Sequence, residues 1–555
     1  MKVMYRLFKI HNIRKTYEVD CLWDFETSDG SYKGKITVPT AWETIPELVN
    51  YKGKATYTKT MKLSGNIRLV FKGVSHTADV FVDGVHVKHH YNAFTPFYAD
   101  VFLEKGEHEI KIEADNAYGE NSALHVENDY YTFGGIIRPF IIEELGCAVI
   151  NYIHFTPFKL GDTWRARVEV CVESKCESSC EYSLGLELDG EKFHLEKITL
   201  SPFEKKIYTN EFSFENVTEY SMENPKLYTI AATLYANGEA ADDLIDKVGF
   251  REIEIRGKEL LLNGKPIKIM GFNRHECYNS LGSSIPLQAM MRDLALIKEA
   301  GANSIRTCHY PNDEMFLDLC DEMGILVWEE SHARGFDLKK MENPNFIPQS
   351  LDCIEEMIEN HYNHPSIIMW GILNECASDT PFGRECYKTL YDKIDSMDSS
   401  RPKTSASNKN TTDICFDLEE IVSVNLYSLW YSFHPDNVSK GINDIKDHMK
   451  ETGNGNKPFI ISEIGAGAIY GYRNENSCKW SEERQAEILE KQLTASLEDD
   501  DVCGLFIWQF CDARVDESWF YGRPGSNNNK GIVDEFRRKK LAFNVVKNIF
   551  GKYKK

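Results

Sequence analysis

Residues 287–328 read LQAMMRDLALIKEAGANSIRTCHYPNDEMFLDLCDEMGILVW, and the fold turns on them. Leu287 to Ala300 has the patterning of an amphipathic helix and is stopped by Gly301. Asn303-Ser-Ile-Arg306 then reads as a strand, Glu314 to Met323 as a second helix ended by Gly324, and Ile325 to Trp328 as the next strand. The unit recurs in both directions. Ile267 to Gly271 supplies a strand before it. Ile367-Ile-Met-Trp370, Thr404 to Ser407, Ile421 to Asn425, Phe459 to Ser462 and Gly504 to Trp508 supply five more after it. Parallel strands need crossovers of helix length. Eight such strands in about 300 residues, most with a helix between, predict a (β/α)8 barrel over residues 251–555.

Upstream of Gly257 the pattern is β-structure throughout. Ile67 to Phe71 is a short strand, and Asp79-Val-Phe-Val82 and Val85-His-Val-Lys88 flank the two-residue turn Asp83-Gly84. Glu109-Ile-Lys-Ile-Glu113 alternates as a half-buried strand does. Further alternating runs, Arg165 to Val170 and Leu184 to Leu188, fall within 146–250, a stretch of the size of an immunoglobulin-like sandwich. The chain therefore divides into residues 1–145, 146–250 and 251–555.

Asp and Glu number 86 against 64 Lys and Arg, giving a net charge of −22. That field opposes general binding to nucleic acid or anionic membranes, and an anionic ligand needs a local basic site to overcome it. No run of about 18 apolar residues is present to span a membrane. The first residues, MKVMYRLFKIHNIRK, lack the apolar core of a signal peptide. Fifteen cysteines without framework spacing predict reduced thiols and a cytoplasmic location. The one cluster, Cys171, Cys176 and Cys180, has no second half, so no metal is expected there. Phosphate-loop and dinucleotide fingerprints are missing, and no cofactor is expected.

In a barrel of this kind the reactive side chains lie just past the C-terminal ends of the strands. Those positions hold Arg274-His275-Glu276, then Arg306-Thr-Cys-His309-Tyr310, then Glu329-Glu330-Ser-His-Ala-Arg334 and Asn374-Glu375. Asn425 and Tyr427, Glu463 and Trp508 end strands six, seven and eight. Glu375 and Glu463, on strands four and seven, are placed to flank one bond. Glycoside cleavage needs that pair: one carboxylic acid protonates the leaving oxygen while one carboxylate attacks or activates water. The acid needs apolar surroundings or a negative neighbour to hold its proton, and hydrogen bonds from Tyr427 or an arginine keep the other ionised. Spacing alone leaves open two unrelated glutamates on solvated loops.

Trp370-Gly-Ile-Leu-Asn374-Glu375 and Ile461-Ser-Glu463-Ile-Gly465 resemble the acid/base and nucleophile motifs of glycoside hydrolase family two. Gly271-Phe-Asn-Arg274-His275-Glu276, Gly301 to Pro311 and Tyr91-Asn-Ala-Phe-Thr-Pro96-Phe resemble further parts of that family. The likeness is nearest to the bacterial β-glucuronidases. It implies a jelly-roll sandwich, an immunoglobulin-like sandwich and a catalytic barrel, with Glu375 as acid/base and Glu463 as nucleophile of a retaining double displacement. It further implies that Asn374 binds the sugar 2-hydroxyl. His309, Asn425, Tyr427 and Trp508 would line the sugar site, and the enzyme would associate as dimers or tetramers.

Asn527-Asn528-Asn529-Lys530 resembles the Asn-x-Lys motif of β-glucuronidases and implies that Asn528 and Lys530 bind a uronate carboxylate, a charge-assisted clamp. Arg523 and Asp129 are expected to assist. Arg334 departs from the pattern, standing where those enzymes carry a smaller apolar residue. It is expected either to bind the carboxylate or the axial 4-hydroxyl of galacturonic acid, or to pair with Glu329, Glu330 or Asp337. The expected substrates are thus β-uronides of small molecules or oligosaccharides, glucuronides first, with galacturonides or both epimers as the alternative. A β-galactosidase and a non-catalytic carbohydrate-binding protein are the more distant readings. About fourteen residues, Asp337 to Ser350, precede the next predicted helix and leave no room for a long lid.

Overall fold

The structure is a computed structural model that describes residues 5–17, 19, 21–431, 437–517 and 523–553. Its C-terminal part is the parallel eight-stranded barrel, with strands Ile269–Asn273, Ser304–Arg306, Leu326–Glu330, Ile367–Asn374, Lys403–Ala406, Val422–Asn425, Phe459–Ile464 and Val502–Ile507 in sequential order around it. Strand eight pairs strand one from Ile269↔Gly504 onward, and a single bridge, Ser407↔Val424, joins strands five and six. The helices Leu287–Glu299 and Glu314–Met323 lie as the patterning predicts. The second ends on Gly324 at φ 66°, where an L side chain would be strained. Strand one begins two residues later than its sequence signal, because Ile267 instead donates its N–H to Leu260 O in a hairpin that leads into the barrel.

The N-terminal unit is built on Lys54–Phe71 and Phe97–Asp115, antiparallel from Lys54↔Asp115 to Phe71↔Phe97. Trp23, Phe25, Tyr57, Leu69 and Ile112 fill its core. Asp83 and Gly84, at φ 50° and 79°, make the tight hairpin between Thr77–Val82 and Val85–Tyr91. The middle unit packs a three-stranded sheet on a four-stranded one over Trp164, Val168, Leu184 and Leu234. All fifteen cysteines are free thiols. Among the described residues no helix is long and apolar enough to cross a membrane.

Buried ion pairs and a ring stack fasten the three units together. Arg14 pairs with Glu143 at 2.9 Å and Asp242 at 2.7 Å, joining the first and second units, while Arg6 reaches Asp246 at 3.0 Å and Asp318 at 2.8 Å. Nearer the barrel mouth, Phe94 stacks on Tyr310 with centroids 3.7 Å apart, and Arg138 binds Glu276 at 2.6 Å. The Tyr91–Phe97 motif is therefore a docking surface. It holds the first sandwich over the C-terminal rim of the barrel, with its loop 116–134 beside the mouth.

Candidate active site

The barrel mouth is organised around one guanidinium. Arg306, fully buried, donates from Nε and Nη2 to the two oxygens of Glu330 at 2.8 and 2.9 Å. Nη1 reaches Asn273 Oδ1 at 2.9 Å and Glu463 Oε1 at 3.1 Å, and Nη2 reaches Asn374 Oδ1 at 2.9 Å. A short strand end thus feeds strands one, three, four and seven from a single rigid fork. Glu463 receives a second donor, Tyr427 OH at 2.6 Å. Burial of Glu463, followed by the nearby charge of Glu375, pushes its pKa up to about 7 against the opposing pull of Arg306, Tyr427 and Arg334.

Glu375 sits one residue past the strand that carries Asn374, in the left-handed region at φ 54°, with its side chain 15 % exposed. Non-glycine residues pay for that conformation, and it occurs where a side chain must be aimed against local preference. Its N–H is held by Ala406 O at 2.8 Å; Asn425 Nδ2 donates to Oε1 at 2.9 Å, and Arg334 Nη2 lies 3.3 Å from Oε2. Asn425 also donates to Asn374 Oδ1 at 3.2 Å, so one relay of hydrogen bonds runs Glu463–Arg306–Asn374–Asn425–Glu375. Both acceptor directions of Asn374 Oδ1 are taken, while its buried Nδ2 has no partner among the described residues. That leaves an N–H free to donate.

His309 and Trp508 form one wall, their rings stacked 5.1 Å apart. Burial and the charges of Arg306 and Arg334 hold His309 well below its ordinary pKa, so the imidazole is neutral. Its Nδ1 lies 2.9 Å from Glu330 Oε1 and 3.3 Å from Arg306 Nη2, while its buried Nε2 has no partner among the described residues.

A second knot lies beside the first. Asp129, from the sandwich, accepts from Arg523 Nη2 at 2.5 Å and from Asn528 Nδ2 at 3.0 Å. Lys530, 2 % exposed, points its ammonium toward the rings of Tyr427 and Tyr431, at 5.7 and 5.3 Å from their centroids. Lys530 and Arg523 both bond the phenol of Tyr431 and draw its pKa down against burial. Asn528 lies on the short strand Asn527–Asn528, where it pairs with Ala513, and Lys530 follows two residues later.

All twelve residues singled out from the sequence therefore fall into these two adjoining knots. Three details differ from expectation. Arg334 pairs with none of Glu329, Glu330 and Asp337: His361 and the Asn312 N–H occupy Glu329, Arg306 and His309 occupy Glu330, and Asp337 caps the short helix Leu338–Met341. It binds Asn128 and Glu375 instead. The segment after strand three is shorter than read, because the next long helix begins at Phe346. Arg306, Glu330, Tyr431 and Asn128 were not among the residues singled out as site residues, although the first two lie in the quoted strand-end motifs.

A group with metal-ligand side chains, Asp318, Asp321 and His364, is buried elsewhere. Arg6 and the Leu7 N–H occupy Asp318, and His364 and the Ser366 N–H occupy Asp321, so its carboxylates are already neutralised by protein donors.

Residues 253–554 match the family model for the "Glycosyl hydrolases family 2, TIM barrel domain". Residues 41–169 match the model "Glycosyl hydrolase 2 galactose-binding domain-like", and 148–251 the model "Glycosyl hydrolases family 2". Among solved structures, a β-galacturonidase from Eisenbergiella tayi bound to galacturonate is 49 % identical, covers 99 % of both chains and superposes with a TM-score of 0.97. The β-D-glucuronidase of Dictyoglomus thermophilum is 25 % identical over 98 % of each chain, with a TM-score of 0.86. A β-glucuronidase of Streptococcus agalactiae is 26 % identical over 96 % of each chain.

Proposed function

The chain belongs to glycoside hydrolase family 2, and we propose that within it this enzyme is a retaining exo-β-D-hexuronidase whose preferred substrates are β-D-galacturonides. The observation that carries the uronide reading is the buried cation Lys530 with Asn528, set beside the carboxylate pair on a chain of net charge −22. A neutral hexose has no use for a desolvated ammonium there, whereas a C6 carboxylate offsets its burial. Arg334 at the rim, and the likeness to the galacturonate-bound E. tayi structure, support the galacto epimer. Likeness to the Dictyoglomus and Streptococcus β-glucuronidases supports β-glucuronides as second substrates.

In this reading Glu463, oriented by Tyr427 and Arg306, attacks the anomeric carbon while Glu375 protonates the glycosidic oxygen. Glu375 then takes a proton from the water that releases the sugar with its β configuration. Asn374 Nδ2 donates to the 2-hydroxyl, where hydrogen bonding strengthens as the oxocarbenium develops. Free association as a dimer or tetramer remains an expectation from the family alone.

The test is side-by-side hydrolysis of 4-nitrophenyl β-D-galacturonide, β-D-glucuronide and β-D-galactoside by the enzyme and by Lys530→Ala, with proton NMR of the first sugar anomer released. Galacturonide cleavage with the β anomer first, lost in the variant while the galactoside stays inert, is expected. Galactoside preference unaffected by the variant would reject the uronide reading, and an α first product would reject retention.

A further inference from the structure

Asn128 belongs to the first sandwich and is 3 % exposed. Its amide meets Arg334 twice: Oδ1 accepts from Nη1 at 3.1 Å, and Nδ2 donates to the Arg334 carbonyl at 3.4 Å. The same Oδ1 accepts the Asp129 N–H at 2.8 Å, and the Asn128 carbonyl accepts the Asp516 N–H at 3.4 Å. Asn128 is thus fixed from both sides before it touches Arg334. The guanidinium, with a side chain 21 % exposed, is stretched between this amide and Glu375. An arginine tethered at one end only has many rotamers at a rim, and recognition of a single hydroxyl requires its donors to be held within about 0.5 Å.

We propose that Asn128 is the positioning residue for Arg334, and that through it the first sandwich sets which C4 epimer of the uronide the barrel prefers. The inference rests on the function proposed above. Galacturonic and glucuronic acid differ only in the direction of the 4-hydroxyl, so discrimination is a difference of two affinities governed by where one donor group stands. Arg334 supplies that group, and the Asn128 amide selects its orientation. Because Asn128 and Asp129 are consecutive, the same turn of chain braces both Arg334 and the adjoining Arg523–Asn528 knot.

The experiment measures kcat and KM on 4-nitrophenyl β-D-galacturonide and β-D-glucuronide for Asn128→Ala, Asn128→Asp, Arg334→Ala and the double variant Asn128→Ala/Arg334→Ala, with thermal melts of each. Loss of a charge-assisted hydrogen bond predicts that Asn128→Ala lowers the galacturonide-to-glucuronide ratio of kcat/KM about ten-fold, chiefly through KM. In the double variant the ratio should fall no further than in Arg334→Ala, because residues acting as one unit are non-additive. Asn128→Asp keeps an acceptor for Nη1 and should hold the ratio within about three-fold. Equal loss on both epimers together with a lower melting temperature, or additive effects in the double variant, would overturn the inference. A parent enzyme that cleaves neither uronide would instead refute the functional reading on which it rests.

Discussion

Glu375 and Glu463 end parallel strands of one barrel, yet their surroundings are opposites. Glu463 is dry, clamped by Arg306 and Tyr427 and lifted to about 7 by burial and its partner's charge. Glu375 is partly exposed, turned out by a positive φ, and held by an amide and by an arginine that the first sandwich orients. A nucleophile has to arrive at a carbon along one line, which a rigid fork guarantees. A group that gives a proton to the sugar's leaving oxygen and later takes one from water faces changing partners, and an open rim suits it. The contrast therefore supports different roles for two chemically identical side chains.

Removing each carboxylate tests that contrast most severely. Glu463→Ala is expected to lower kcat by more than about 10⁴-fold on every substrate, since no leaving group compensates for a missing nucleophile. In kcat/KM, which reports formation of the glycosyl-enzyme, Glu375→Ala should cost about 10²–10⁴-fold on alkyl uronides and far less on nitrophenyl ones, whose leaving oxygen needs no acid. Equal losses across a leaving-group series would dissolve the assignment. Next in size, Tyr427→Phe removes a charge-assisted donor from Glu463 and should cost roughly 10–100-fold in kcat/KM.

The pH profile sharpens the comparison further. Because the free enzyme's Glu463 must be ionised to attack, kcat/KM should fall as the pH drops below about 7. The Tyr427 hydroxyl lowers the Glu463 pKa, so this limb should move to higher pH in Tyr427→Phe; an unmoved limb would mean that another group titrates. The smallest effect is on stability. A carboxyl whose folded pKa lies above its unfolded value favours the native state fully below the unfolded pKa, and that contribution is lost as pH rises through the folded one. Glu463→Gln should therefore match the parent enzyme in stability at pH 4 but exceed it at pH 8, by up to roughly 3 kcal/mol. Equal stabilisation at both pH values would deny the burial penalty.

The barrel was legible because its signals are local: amphipathic helices stopped by Gly301 and Gly324, and short apolar strands between them. The positions of Glu375, Glu463, Tyr427 and Trp508 followed, since strand ends define one rim. What stayed hidden were partnerships across the chain. Asn128 and Arg334 are 206 residues apart, and Asp129 and Arg523 394, distances at which no periodicity or turn rule connects two residues. The protein partners that the sequence offers Arg334 therefore come from its own loop, and the fold engages each of them elsewhere. In the sequence Arg306 is one of several strand-end residues; that it holds Glu330, Asn374 and Glu463 together depends on the barrel having closed.

The docking of the first sandwich through Phe94 and Tyr310 has a consequence for inheritance. A gene that recombined the barrel of this enzyme with the sandwich of a relative would encode a chimera with Glu375 and Glu463 in place and with Arg334 tethered only if the new sandwich carried an equivalent of Asn128. Selection among such hybrids would act on the sandwich turn and the strand-three loop as a pair. Substrate range in this lineage is then expected to drift in coupled steps taken by two distant segments of sequence, while the rest of the barrel stays still.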